Sequence, residues 1–252
     1  MHGRGKSGFT LIELLVVVGI IALLVAILLP SLKRARELGL ELVCANNIRE
    51  LGKAELGYVA DNRDFSPWRR TIGYGASHYT DPWGIEQSLL FTYLGESKNV
   101  FLCPMFEPLV TETPYFSYSM NWNLGIWSGE DGDQNSEQIE SLARVRAPSR
   151  MVVFCEENPW GNSPYATHGL NDGQMCAPDW PYRDSFGTFH RPSRNRYEDG
   201  DPFGYVGESD NDLNTGVTHG AFLDGHVEWV TALQTERLTL NDPSRIRYPE
   251  NP

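Results

Sequence analysis

Positive charge is scarce beyond the first quarter of this 252-residue chain. Residues 61–252 hold fourteen Lys and Arg against twenty-eight Asp and Glu, and Lys98 is the only lysine after Lys53. A surface near −14 repels phosphate, so nucleic acid is excluded as a partner for the bulk of the chain. No internal repeat of 20–50 residues is present, which excludes a solenoid. Catalytic signatures are equally thin: there is no Gly-x-Ser-x-Gly elbow, phosphate loop, His-Glu-x-x-His or Cys-x-x-Cys pattern, and no enzyme activity is expected. What the chain does have is 40% hydrophobic residues, with 11 Phe, 11 Tyr, 7 Trp, 24 Gly and 16 Pro. That composition can bury a core and describes a globule rich in loops and rigid anchors.

Charge is also missing from one long run. From Phe9 to Leu29 Glu13 is the only charged residue, and as a helix at 1.5 Å per residue the run is about 31 Å long, the thickness of a bilayer's hydrocarbon core. A secretory signal peptide is the rival reading, since Arg4 and Lys6 precede the run. The length of the run, the lack of a small-x-small cleavage site after it and the helical continuation beyond Pro30 argue against that reading. In the continuation Leu38, Leu42, Ala45, Ile48, Leu51 and Tyr58 recur at steps of three or four with one gap of seven, an apolar stripe on a helix. One helix is therefore expected from about Phe9 to about Ala60, bending at Pro30, where a backbone hydrogen bond is lost. Glu13 is the anomaly within it. A carboxylate in an apolar helix costs about 2.5–3.5 kcal/mol near the bilayer centre and less near its edge, so it reaches headgroups or has a cationic partner.

Lys6-Ser7-Gly8-Phe9-Thr10-Leu11-Ile12-Glu13-Leu14 resembles the class III leader of type IV pilins and type II secretion pseudopilins. The resemblance implies that a prepilin peptidase cuts between Gly8 and Phe9 and that Phe9 is N-methylated. It implies that the Glu13 carboxylate pairs with the N-terminal ammonium of a neighbouring subunit during assembly. Such a pair is physically sensible, because two groups that are costly in an apolar medium neutralise each other. Lys33, Arg34 and Arg36 follow the apolar run, so positive charge flanks it on both sides and does not set its orientation. The family implies a cytoplasmic leader, an inner-membrane anchor and an exported head. The expected divisions are 1–8 leader, 9–30 membrane and filament-core helix, 31–60 amphipathic continuation and 61–252 globular head. The expected fold is α+β and pilin-like, a long bent helix packed on a C-terminal antiparallel sheet with long loops.

Within the head, Val100–Cys103, Tyr115–Asn121 and Met151–Glu156 read as strands. Asp224-Gly225, between the β-prone runs of Gly220 to Val230, reads as a hairpin with a type I′ turn. The blocks CANNIRELGKAELGYVADNRDFSP, FLCPM, YFSYSMNWNLG, VRAPSRMVVFCEE and FLDGHVEWV resemble those of prepilin-like proteins abundant in planctomycetes, which end in an H-X9-DG element. Here the spacing departs from that element: Asn214 stands where His belongs, His219 is too close to Asp224, and His190 is 33 intervening residues away.

Two metal readings arise. His190, His219, Asp224 and His226 invite zinc, against which stands a reading with Asp224 supporting the turn and the histidines facing solvent. Calcium is better motivated: Asp210 and Asp212 open a loop with alternating oxygen ligands, with Asp199, Asp201 and Glu208 close by. Thr215 replaces the usual sixth-position Gly and Ala221 the twelfth-position acid, and the plain alternative is a solvated acidic loop. The pseudopilin resemblance supports calcium in general terms. Glu130, Asp131 and Asp133 are a second candidate cluster. Cys44, Cys103, Cys155 and Cys176 all follow the apolar run, and four cysteines allow three pairings. The block resemblance implies Cys44 with Cys103 and Cys155 with Cys176.

The expected function is a structural subunit of a type II secretion or type IV pilus-like filament, with prepilin peptidase, other pilin subunits and the inner membrane as partners. The alternative is a monomeric, membrane-anchored binding protein.

Overall fold

The computed structural model describes residues 10–67, 83–109, 113–121, 123–125, 139, 141–156, 174–175, 190 and 216–231. The chain forms two compact units, Met1–Leu42 and Val43–Pro252.

The first unit is helix. The helix α1 (Leu11–Asp61) begins there and continues into the second unit, with Pro30 inside it. Proline has no N–H, so the Ala26 carbonyl lacks its usual partner at that point, yet the helix continues without interruption on both sides. Leu, Val and Ile side chains from Leu11 to Leu29 are exposed all round the helix, with Leu11 at 83% and Ile27 at 68% of full accessibility. Among the described residues of this unit, none covers that surface. The stretch is long and apolar enough to cross a membrane, as a signal sequence also would be.

In the second unit, α1 has an apolar face because Cys44, Ile48, Leu51, Ala54 and Val59 repeat at close to the helical period, and all are buried. The predicted stripe is shifted: Leu38 and Leu42 are exposed, and Cys44 and Val59 mark the buried line instead. Leu42 lies two residues, about 200°, from Cys44 and so points away from this face.

The sheet has the order β3-β1-β2-β4-β5, where β1 is Tyr118–Asn121, β2 Val152–Glu156, β3 Gln174–Met175, β4 Thr218–Phe222 and β5 Val227–Val230. β1, β2, β4 and β5 run antiparallel, and the two-residue β3 adds in parallel beside β1. β2 is Val-Val-Phe-Cys-Glu, buried at every position, as expected for a β-branched and aromatic strand covered on both faces. Its helix-facing side joins Cys44, Ile48 and Leu51 in the main core with Phe154, Met120 and Leu223. Val152, Cys155, Phe222 and Val230 cluster separately. Complete burial of Ile48 and Leu51 contributes about 1.5–3 kcal/mol each. Helix and sheet pack in ordinary van der Waals contact at Gly52, where a Cβ would lie 3.4 Å from the Ala221 Cβ.

Val100–Cys103 is not a strand. Lys98–Phe101 forms a 3-10 turn, and Phe101 and Cys103 are buried there. Asn47 on α1 donates from Nδ2 to the Leu102 carbonyl at 3.0 Å, and Ser117 N–H donates to the Phe101 carbonyl at 2.9 Å. A short apolar run satisfied by such contacts needs no strand partner.

Asp224 and Gly225 lie in the connection between β4 and β5, but its turn is not type I′. That type needs positive φ at both central residues, whereas only Gly225, at +89°, has it. Gly225 N–H donates to Phe222 C=O at 2.8 Å and Phe222 N–H to His226 C=O at 2.9 Å, which defines a three-residue loop closed by a left-handed glycine. Gly225→Ala is expected to lower stability by about 1–2 kcal/mol, read as a shift of the urea midpoint at unchanged m-value. The left-handed backbone disfavours any Cβ, whatever the space around it.

Candidate functional site

The head of α1 is a capping box. Thr10 Oγ1 accepts the Glu13 N–H at 3.3 Å, while Glu13 Oε2 accepts the Thr10 N–H and hydroxyl, each at 2.9 Å. Two N–H groups that the helix cannot satisfy internally are thereby paired, and a negative group sits at the positive end of the helix dipole. The signal was present in the sequence as Thr-x-x-Glu before an apolar run. Glu13 thus has a local role in addition to the intersubunit one expected of it. Gly8 and Phe9 lie outside the described residues.

A second polar site is buried in the head. Tyr118 on β1 stands opposite Glu156 on β2, and His219 on β4 opposite Trp229 on β5. Cys155 pairs with Gly220, so the register brings Glu156 beside His219. His190 joins from outside the named strands by exchanging backbone hydrogen bonds with Val217, at 3.2 and 3.0 Å. The chain on either side of residues 191–215 is therefore held in antiparallel contact. The long sequence separation of His190 from Asp224 does not keep His190 away from the strand that leads into the hairpin.

His190 and Glu156 are fully buried, with Nε2 and Oε1 2.6 Å apart. Thr218 Oγ1 donates to the other carboxylate oxygen, Oε2. His219 is 5% exposed, and its Nδ1 lies 3.9 Å from Glu156 Oε1. Its ring lies against the Trp229 indole, centroids 3.7 Å apart and planes tilted by 33°. Burial alone would push the Glu156 carboxyl up, but the His190 and His219 imidazoles outweigh it and hold it down at about 2. The expectation that the histidines face solvent is therefore wrong for His190 and His219. It suits only His226, which stands on the exposed side of the hairpin, donates its backbone N–H to the Asp224 carboxylate and pairs with the same oxygen through Nδ1.

Cys44 and Cys103 are joined by a disulfide, and Cys103 Sγ lies 3.8 Å from His190 Nε2. Cys155 is buried, 3.6 Å from Ser119 Oγ, and its thiol reaches the Glu156 carbonyl at 3.3 Å. Cys176 lies outside the described residues. So do the calcium candidates Asp199, Asp201, Glu208, Asp210 and Asp212 and the second cluster of Glu130, Asp131 and Asp133. Glu156 was missed as a site residue; its signal was a carboxylate ending an otherwise apolar strand.

Comparison with known proteins bears on the helix head. The prokaryotic N-terminal methylation motif family matches residues 3–29. Over 63 residues, 25% of this chain, the sequence is 40% identical to the type IV wide pilus major component PilA4 of Thermus thermophilus. The match covers 48% of that protein, so the chain spans about half the length of the curated relative it matches. No solved structure matches. The methylation motif leads into a long helix whose later half packs on an antiparallel sheet, and in its N-terminal region the chain is similar to a type IV pilin.

Proposed function

We propose that this chain is a processed structural subunit of a membrane-rooted filament of the type II secretion or type IV pilus kind, and not an enzyme. A prepilin peptidase cuts between Gly8 and Phe9 and methylates Phe9, leaving a new ammonium at the head of the helix. Before assembly the apolar half of α1 is held in the inner membrane, with the acidic head exported. Assembly with other pilin subunits then buries the same surface in a filament core. The observation that carries this reading is the methylation motif heading a helix whose Leu, Ile and Val side chains stand exposed on every side from Leu11 to Leu29. Such a surface needs lipid or other helices around it.

The capping box makes the test of Glu13 sharper. Gln in place of Glu keeps a side-chain oxygen for the Thr10 N–H but removes the charge. Glu13→Gln is expected to be inserted and processed normally but to lose filament incorporation, as is Glu13→Leu. Crosslinking of full-length protein in its native membrane reads multimer ladders, and N-terminal mass spectrometry reads the processing. Ladders from Glu13→Gln equal to wild type, with loss only in Glu13→Leu, would mean that Glu13 acts through the helix cap and not through an intersubunit ion pair. A mature protein still beginning at Met1 and running as a monomer would leave only a membrane-anchored head.

A further inference from the structure

We propose that, with its disulfide reduced, the head binds one divalent ion of the zinc class through Cys44, Cys103, His190 and Glu156. Four separate segments supply these side chains: α1, the stretch after the 3-10 turn at Lys98–Phe101, the end of β2 and the residue bridged to Val217. Their donor atoms, two sulfurs, a ring nitrogen and a carboxylate oxygen, all lie within 4.8 Å of one another, and all four residues are fully buried. In this structure the sulfurs are bonded to each other and offer no thiolate, so the site belongs to the reduced chain. A disulfide by itself needs neither an imidazole nor a carboxylate beside it. Cys103 Sγ nevertheless has His190 Nε2 at 3.8 Å, and that nitrogen meets Glu156 Oε1 at 2.6 Å. Two thiolates, an imidazole and a carboxylate are a donor set that selects zinc over calcium or magnesium.

Around a tetrahedral ion, with sulfur at about 2.3 Å and nitrogen or oxygen at about 2.0–2.1 Å, two sulfurs stand about 3.8 Å apart, sulfur and nitrogen about 3.6 Å, and nitrogen and oxygen about 3.3 Å. The Cys103–His190 spacing is already within about 0.2 Å of this, and the His190–Glu156 contact has to lengthen by about 0.7 Å. Once their bond is broken, ordinary van der Waals contact sets the two sulfurs about 3.5–4 Å apart, which is the spacing the ion requires. The surroundings hold the donors in place. Cys103 N–H donates to Ser117 Oγ at 2.6 Å, the Tyr118 hydroxyl donates to the Cys44 carbonyl at 3.3 Å, and Thr218 Oγ1 donates to the second oxygen of Glu156. His219 stays outside the set, its Nδ1 3.9 Å from Glu156 Oε1 as a support for the carboxylate. In the exchange a dithiol gives two electrons and two protons to the Cys44–Cys103 bond and leaves as its own disulfide, and the ion then displaces both thiol protons. Oxidation by a small disulfide reverses this: the two thiolates give up two electrons, their bond re-forms, the small disulfide leaves as two thiolates and the ion is released. Metal and disulfide are alternative ties between α1 and the same turn.

Untagged full-length protein in detergent, reduced with a phosphine and stripped by a chelator, is titrated with Co(II) and then Zn(II) beside the oxidised protein. The reduced protein is expected to show a sulfur-to-cobalt band in the near ultraviolet that saturates at one equivalent and is displaced by Zn(II), and the oxidised protein none. Cys44→Ser and His190→Asn are each expected to weaken binding by about 100-fold or more, above the range of changes around, rather than in, a ligand set. Cys155→Ser, and His226→Asn on the exposed hairpin, leave binding unchanged. With zinc in about tenfold excess over its dissociation constant only about a tenth of the thiol pairs are free, so closure of the bond by oxidised glutathione should slow about tenfold. X-ray absorption at the zinc edge of the reduced wild type needs no variant and is expected to show two sulfur ligands, the rest nitrogen and oxygen. Absence of a saturable band from the reduced protein overturns the proposal. So does equal binding by the oxidised protein, a band that survives Cys44→Ser, or a metal with any other number of sulfurs.

Discussion

Replacing Cys44 and Cys103 by serine, or reducing their bond with a dithiol, is expected to lower the unfolding free energy of the head by about 4 kcal/mol. The bond links residues 59 apart, and closing a loop of that length removes this much conformational freedom from the unfolded chain in the entropy model. The loop it closes joins the helical face that enters the core to the turn at Lys98–Phe101, so the unfolded chain loses freedom between the two elements that Asn47 also connects. A domain's whole stability is about 5–15 kcal/mol, which makes this bond a large share of it. Urea unfolding with and without reductant measures the effect, and the reduced chain should also show a larger m-value because its unfolded state is less compact. A midpoint that moves by less than the equivalent of about 1 kcal/mol would show that the helix and the turn stay associated in the unfolded state. Proximity adds a second readout: Cys103 Sγ lies 3.8 Å from His190 Nε2, so loss of the bond is also expected to shift the His190 ring resonances.

What was readable in advance divides along physical lines. The long helix, its continuation past Pro30 and the antiparallel character of the head rest on local signals: an uncharged run, a helical period, and Asp-Gly between β-prone segments. The type of turn was not readable, because Asp-Gly suits both a two-residue loop and a three-residue one closed by a left-handed Gly225, and strand register decides between them. Val100–Cys103 failed for a related reason: so short a run carries no period of its own, and contacts from Asn47 and Ser117 fixed a turn. The buried cluster could not be read from spacing at all. Glu156, His190 and His219 are separated by dozens of residues, and only the sheet register and the His190–Val217 bridge bring them together. By contrast, the gap of seven between Leu51 and Tyr58 in the apolar stripe was a readable warning. Glu55 occupies it, fully buried.

That carboxyl makes the head's stability depend on pH in an unusual direction. Ser66 Oγ donates to Glu55 Oε1 at 2.6 Å, while among the described residues none hydrogen-bonds the buried Oε2. Burial pushes its pKa up to about 8, against a smaller downward pull from Ser66. In the unfolded chain the same group ionises near 4.5. Between these values the folded state holds a proton that the unfolded state has released, so stability falls as pH rises. The accumulated loss is roughly 3 kcal/mol at pH 7 and roughly 5 kcal/mol above pH 8. Glu156 acts in the opposite sense: held at about 2, it contributes stability that is present above 4.5 and lost as pH falls towards 2. Together the two place the stability maximum near pH 4.5, where the unfolded carboxyls are half ionised and the two slopes cancel. Glu55→Gln retains a partner for Ser66 and cannot ionise, so its unfolding free energy should be nearly flat from about pH 5 to 8, and at the upper end it should exceed that of wild type. Glu55→Met, which also removes the unmatched oxygen, is expected to be more stable still. Urea midpoints taken at unit steps from about pH 5 to about pH 8 decide the matter: a wild-type profile that stays flat over this interval, or one that Glu55→Gln reproduces, would mean that Glu55 is charged in the folded head. The opposed slopes follow from one difference in surroundings, since Glu156 is buried against two imidazoles and Glu55 against a single hydroxyl.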